Sequence, residues 1–168
     1  SEYGIGSNIE IHVDKATNAD KSLGAVQPEE YQNICHESFI PQINERSYLW
    51  ATFNWNMFDF SSDMRAEGGL TGVNTKGLVT RDREVKKDSF YLYKANWSDE
   101  PFVYITSRRN DVRQNSPVEI KGYSNCDSVE LTVNGQVIGR LSQEDLAQET
   151  VFVWEDVPLA NGENTIVM

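Results

Sequence analysis

Five side chains in the first half of this 168-residue chain have types and settings suited to chemistry: Glu2, Trp55, Asp59, Asn74 and Lys76. Glu2 stands at the exit of a very short strand, just before Gly4 and Gly6. Strand ends of that kind are where barrel enzymes set catalytic carboxylates. Trp55 offers a flat indole face that could stack on the C–H bonds of a sugar, or pack as an ordinary strand aromatic. Asp59 closes the same apolar run, where its carboxylate could bond ligand hydroxyls or cap the loop that follows. Asn74-Thr75-Lys76-Gly77 places an amide and an ammonium two residues apart. Such a pair suits a carboxylate ligand, and it equally suits a plain polar turn.

Other constellations are missing. His12 and His36 do not make a metal pair, and His36 reads as a packing residue beside the apolar stripe of a helix. There is no phosphate loop, no Gly-x-Ser-x-Gly elbow and no His-Glu-x-x-His. Asn125, Asp127 and Asp145 lack the spacing of a calcium loop. No metal or cofactor is assigned.

The elements that must position these residues change character along the chain. Residues 14–26 are polar and aperiodic and read as a loop. Pro28-Glu29-Glu30 opens a helix, with proline in the first turn and acids at the positive end of the dipole. Tyr31, Ile34, Cys35 and Phe39 give it one apolar face, and Pro41 kinks or ends it. Tyr48 to Phe58 is nearly continuous in apolar and aromatic residues, as expected of a strand buried on both faces. Asp59 to Thr80, rich in Gly and Ser, reads as a long functional loop. Asp88 caps a second helix carrying Phe90, Tyr91, Tyr93, Lys94 and Trp97. Strand, helix, strand, loop, helix is the repeat of an α/β fold.

After Trp97 short strand signals follow at 102–105, 118–120, 128–133 and 151–154, with an Asn134-Gly135 hairpin turn leading into 136–138. This half reads as an antiparallel, immunoglobulin-like β-sandwich. The boundary is placed at Ser98-Asp99-Glu100-Pro101, giving units 1–97 and 98–168. Two strands cannot close a barrel of roughly 250 residues, so the first unit is expected to dock on an N-terminal part of the same protein. Ser1 in place of an initiator Met, and a strand-like run ending at Met168, make both ends read as cuts.

The charge excludes whole classes. Fifteen basic residues against 26 acidic ones leave a net charge of −11, unsuited to nucleic acid or to an anionic membrane surface. Apolar runs are far shorter than the roughly 20 residues of a membrane helix. Cys35 and Cys126 form neither a disulfide framework nor a zinc site and are expected to be buried.

Three strings in register carry a resemblance: Ser1-Glu2-Tyr3-Gly4, then Trp50 through Phe60, then Asn74 through Arg83. Together they resemble glycoside hydrolase family 2, the β-galactosidase and β-glucuronidase family. The resemblance implies α/β plus all-β architecture: the last two βα units of a (β/α)8 TIM barrel followed by an immunoglobulin-like domain. It implies Glu2 as the nucleophile of a retaining exo-β-glycosidase, Trp55 and Asp59 at the sugar subsite, and Asn74 and Lys76 beside them. The acid/base partner of that family, in an Asn-Glu pair on the fourth barrel strand, has no match here, so the chain alone is expected to be inactive. The string as a whole favours β-galactosides, while Asn74 and Lys76 resemble the carboxylate-holding motif of β-glucuronidases. Expected partners are a carbohydrate, the N-terminal part of the enzyme and a second copy of the chain. Family analogy favours a periplasmic or secreted location. A reading of another class is a non-catalytic carbohydrate-binding or structural β-sandwich module with a helical extension.

Overall fold

A computed structural model describes residues 2–17 and 24–168. Ser1 of the first motif, and residues 18–23 of the polar stretch read as a loop, lie outside the described residues. The chain divides into two compact units, Ser1–Phe90 and Tyr91–Met168.

The first unit is a minimal β-α-β arrangement with a hairpin added. Strand β1 (Glu2–Tyr3) pairs in parallel with β2 (Phe53–Asn54), Glu2 opposite Phe53 and Tyr3 opposite Asn54. Helix α1 (Glu29–Asn44) crosses between them. Pro28 stands at its N-cap with φ −62°, the angle its ring imposes, and Glu29 and Glu30 fill the first turn.

Pro41 does not end α1. The helix runs on to Asn44, and the Pro41 carbonyl accepts the Glu45 N–H at 2.9 Å. The buried face of α1 also differs from the expected apolar stripe. Glu29, Glu30, Gln32, Asn33, His36 and Ile40 are buried, whereas Tyr31, Ile34, Cys35 and Phe39 are only half-buried. The reason lies in what the helix packs on: irregular backbone whose donors and acceptors need side-chain partners. His36 does serve in packing, edge-on to Tyr3 and Phe39. Burial, reinforced by the nearby Lys87 charge, pushes its pKa down to about 3, so the ring is neutral. Both cysteines are free and half-buried rather than buried.

The aromatic run from Tyr48 to Phe58 forms a strand only at Phe53–Asn54 and is not covered on both faces. Tyr48, Trp50, Phe53, Trp55 and Met57 are exposed, Trp50 at 93%, and they alternate with half-buried neighbours. Alternation is the signature of a pleated segment with one face packed. The expected loop after Asp59 is instead a hairpin: β3 (Phe60–Glu67) pairs antiparallel with β4 (Leu70–Asn74). Gly68 and Gly69 make its turn with φ of 57° and 75°, a conformation glycine enters without a Cβ clash. Helix α2 (Asp88–Trp97) follows. Its first backbone N–H, at Asp88, is taken by the Glu29 carboxylate at 2.8 Å, so α1 caps α2.

The second unit opens with the remainder of α2 and from Val103 onward is built of strands, with one short 3-10 turn at Gln143–Asp145. Strands β5 (Val103–Ile105), β6 (Val118–Ser124) and β9 (Val151–Val157) form one antiparallel sheet in the order β5-β6-β9. Strands β7 (Ser128–Val133), β8 (Gln136–Ser142) and β10 (Ile166–Val167) form a second, ordered β10-β7-β8. Asn134 and Gly135, with φ of 51° and 79°, make the tight β7–β8 turn. Val118, Ile120, Phe152, Trp154 and Val157 of one sheet meet Val129, Leu131 and Val133 of the other in one apolar core. No described helix is long and apolar enough to cross a membrane.

Candidate functional site

Three backbone segments meet at the end of the β1–β2 pair. The Trp55 N–H donates to the Tyr3 carbonyl at 2.6 Å and links β2 to β1. The Asn56 N–H donates to the Lys76 carbonyl, and the Leu78 N–H to the Asn56 carbonyl, both at 3.0 Å. The Ser7 N–H closes the ring by donating to the Thr75 carbonyl at 3.1 Å. Glu2, Trp55 and Lys76 are thus carried by strands and turns bonded to one another rather than by separate loops.

Two glycines make this approach possible. A Cβ on Gly4 would lie 2.0 Å from the Trp55 carbonyl oxygen, and a Cβ on Gly77 would lie 2.1 Å from the Asp59 nitrogen. Each glycine therefore marks a backbone-on-backbone contact that no other residue permits.

The five sequence candidates all fall in this unit, in different settings. Glu2 is exposed at the start of β1. Trp55 is 44% exposed and braced edge-on by Phe60, leaving much of the indole open. It lines an open cleft of about 630 Å³ with Phe58, Phe60, Arg81 and Arg83. Asn74 is buried and spends its Oδ1 on the Lys76 N–H at 3.1 Å, a side-chain turn that fixes the backbone of Lys76. Lys76 itself is half-buried.

Asp59 is 7% exposed, and its Oδ1 accepts the Gly77 N–H at 2.8 Å and the Lys87 ammonium at 3.0 Å. Burial raises its carboxyl above the usual range, and the Lys87 charge with the Gly77 bond opposes that rise. These two bonds use Oδ1 to hold the turn at Gly77.

Sequence reasoning missed the layer beneath. Gln32 donates to the Ile5 carbonyl at 2.8 Å and accepts from Ser89. Gln27 accepts from the Thr75 hydroxyl. Lys87, fully buried, reaches Ser7, Asp59 and Thr75. In the sequence Lys87 is one of a Lys-Lys pair before a helix and looks like a solvated charge. Among the described residues no group of three or more His, Cys, Asp or Glu could hold a metal ion.

Comparison with known proteins covers nearly the whole chain. A family described as a domain of unknown function (DUF4982) matches residues 115–168. A Bacteroides fragilis protein named β-glucuronidase is 41% identical over 99% of this chain and 24% of its own length. The crystal structure of an FMN-binding β-glucuronidase from Facaelibacterium prausnitzii L2-6 superposes with a TM-score of 0.87 at 40% identity, covering 99% of this chain and 24% of that one. The flavin in that name belongs to that protein. A Bacteroides fragilis structure provisionally named β-galactosidase superposes with a TM-score of 0.89 at 36% identity, covering 98% of this chain and 24% of that one. The chain therefore spans about a quarter of the length of the relatives it matches. Their names are those of glycoside hydrolases, and they bear out the resemblance read from the three motifs.

Proposed function

We propose that this chain, homologous along its length to about a quarter of enzymes named β-glucuronidase and β-galactosidase, carries the nucleophile and one wall of the sugar subsite of a retaining exo-β-glycosidase. In this reading β1 and β2 are the seventh and eighth strands of a (β/α)8 barrel, and the second unit is its immunoglobulin-like appendage. The Glu2 carboxylate attacks the anomeric carbon, and the C–O bond to the leaving group breaks as an acid protonates the departing oxygen. The resulting glycosyl ester is cleaved by water, which gives up a proton to the same acid/base residue and releases the sugar with retained configuration. That second carboxyl must lie about 5–5.5 Å from the first. No residue here matches the motif that supplies it, so the isolated chain is inactive in this scheme.

The sugar favoured is a β-glucuronide. The observation that carries this is the Asn74–Lys76 turn, bonded through Asn56 and Ser7 to the strands that bear Trp55 and Glu2. With Asn74 Oδ1 committed to the turn, the amide donor Nδ2 and the Lys76 ammonium are the groups that would meet a C6 carboxylate. The names β-glucuronidase on the relatives at 41% and 40% identity support the same choice. The β-galactoside reading, favoured from the sequence string, keeps the support of the 36%-identical structure bearing that name.

The test is hydrolysis of matched aryl β-glucuronide and β-galactoside by the full-length protein, with Lys76→Ala beside it. We expect glucuronide cleavage, and a loss of roughly 10- to 100-fold in kcat/KM on removing one charged hydrogen bond. Galactoside cleavage that Lys76→Ala leaves intact would return Asn74 and Lys76 to a plain turn.

A further inference from the structure

Lys87 lies outside every motif that pointed to the site, yet it is fully buried. The residue is 0% exposed, and its ammonium lies 3.0 Å from the Ser7 carbonyl, 2.9 Å from the Thr75 carbonyl and 3.0 Å from Asp59 Oδ1. An ammonium has three N–H bonds, and three acceptors stand at bonding distance. A lysine is desolvated at such a cost only where its partners are fixed.

The identity of those acceptors gives the arrangement its meaning. Ser7 lies on the segment leaving β1, five residues after Glu2. Thr75 sits between Asn74 and Lys76. Asp59 follows the Trp55-bearing stretch and holds the Gly77 N–H at 2.8 Å. One ammonium thereby ties together the three segments that carry the nucleophile, the stacking aromatic and the candidate carboxylate clamp. The backbone of Lys87 adds to the tie, its N–H donating to the Leu78 carbonyl at 2.9 Å.

We propose that Lys87 is a positioning residue that holds the Glu2, Trp55 and Asn74–Lys76 segments in register, so that the sugar subsite is assembled around a buried ammonium. As a statement about catalysis this rests on the function proposed above; as a statement about how the segments are held, it does not.

The decisive variants, in the full-length enzyme, are Lys87→Met and the double variant Asp59→Asn/Lys87→Met. Lys87→Met keeps an unbranched stem, one atom shorter, but leaves the Asp59 charge buried without its partner, so it is expected to lower Tm. The double variant removes both charges and should regain most of that Tm. It still lacks a donor for the Ser7 and Thr75 carbonyls. Its kcat/KM should therefore stay about 100-fold down, the scale on which misplacement by about 1 Å acts, with KM raised and kcat lowered. Hydrogen exchange should rise at the amides of residues 4–8 and 74–79 and stay unchanged in β7. A double variant with wild-type kinetics would reduce Lys87 to a counter-charge and overturn the proposal. So would lost Tm with kcat and KM intact at a temperature where the variant is folded. If the wild-type protein cleaves neither aryl glycoside, the proposed activity fails by itself. The exchange pattern still decides the tie, and unchanged or uniformly faster exchange would refute it.

Discussion

Gly77→Ala is the substitution whose effect the geometry fixes most closely. The new methyl carbon would lie 2.1 Å from the Asp59 nitrogen, 2.4 Å from the Phe58 carbonyl carbon and 2.7 Å from Asp59 Oδ1. The first two neighbours are backbone, so no rotamer change relieves the contact. Restoring a normal separation requires the 74–77 turn and the 58–59 backbone to part by about 1 Å, against the close packing of protein interiors. Overpacking of this kind costs about 1–3 kcal/mol. The displacement also stretches the Gly77 N–H bond to Asp59 and carries Lys76 away from Trp55. A shift of about 1 Å in a substrate-positioning group costs about 100-fold in rate. Measured on the full-length enzyme, kcat/KM for the aryl glucuronide should fall by that factor and Tm should drop. Gly72→Ala is the control, because a Cβ there meets nothing within 4 Å and adds only the strain of φ +71°. If Gly77→Ala turns over substrate like wild type while Gly72→Ala does not, the steric account of the turn is wrong.

Glu2→Gln should abolish turnover of the full-length enzyme without altering its Tm; near wild-type activity would remove Glu2 as nucleophile. Trp55→Ala should raise KM by deleting the exposed stacking face, and an unchanged KM would return it to packing. Leu131→Ala, fully buried between the two sheets of the second unit, should destabilise that unit by about 2–5 kcal/mol, measured by denaturation. Burial lowers the His12 pKa, but its 2.9 Å contact with Glu30 and the nearby Glu29 charge outweigh that and leave it above 6.5. A raised base stabilises fully below its unfolded pKa of 6.5 and loses that contribution as pH rises through the folded value. Tm should therefore fall across that span for wild type and fall less for His12→Asn; identical profiles would refute the link.

The strands of the second unit were legible in the sequence. Its strands alternate, its Asn134-Gly135 turn demands positive φ, and its apolar residues are the ones that meet in the core. Local rules mark the strands and the β7–β8 turn, whereas the β6–β9 and β7–β10 pairings join segments distant in the chain and were set by tertiary structure. The first unit yielded less. Its motifs marked Glu2, Trp55, Asp59, Asn74 and Lys76 as candidates, because residue type and spacing are visible without a fold. The hairpin after Asp59 was hidden behind glycines that read as loop but serve as a turn. The aromatic run suggested a fully buried strand, but burial depends on what lies alongside. The polar face of α1 and the buried Lys87 were invisible for the same reason. A lysine or glutamine is buried only when distant segments supply its hydrogen bonds, and Ser7, Asp59 and Thr75 are brought to Lys87 by tertiary structure alone. Sequence marked the candidate groups; folding decided what holds the segments that bear them.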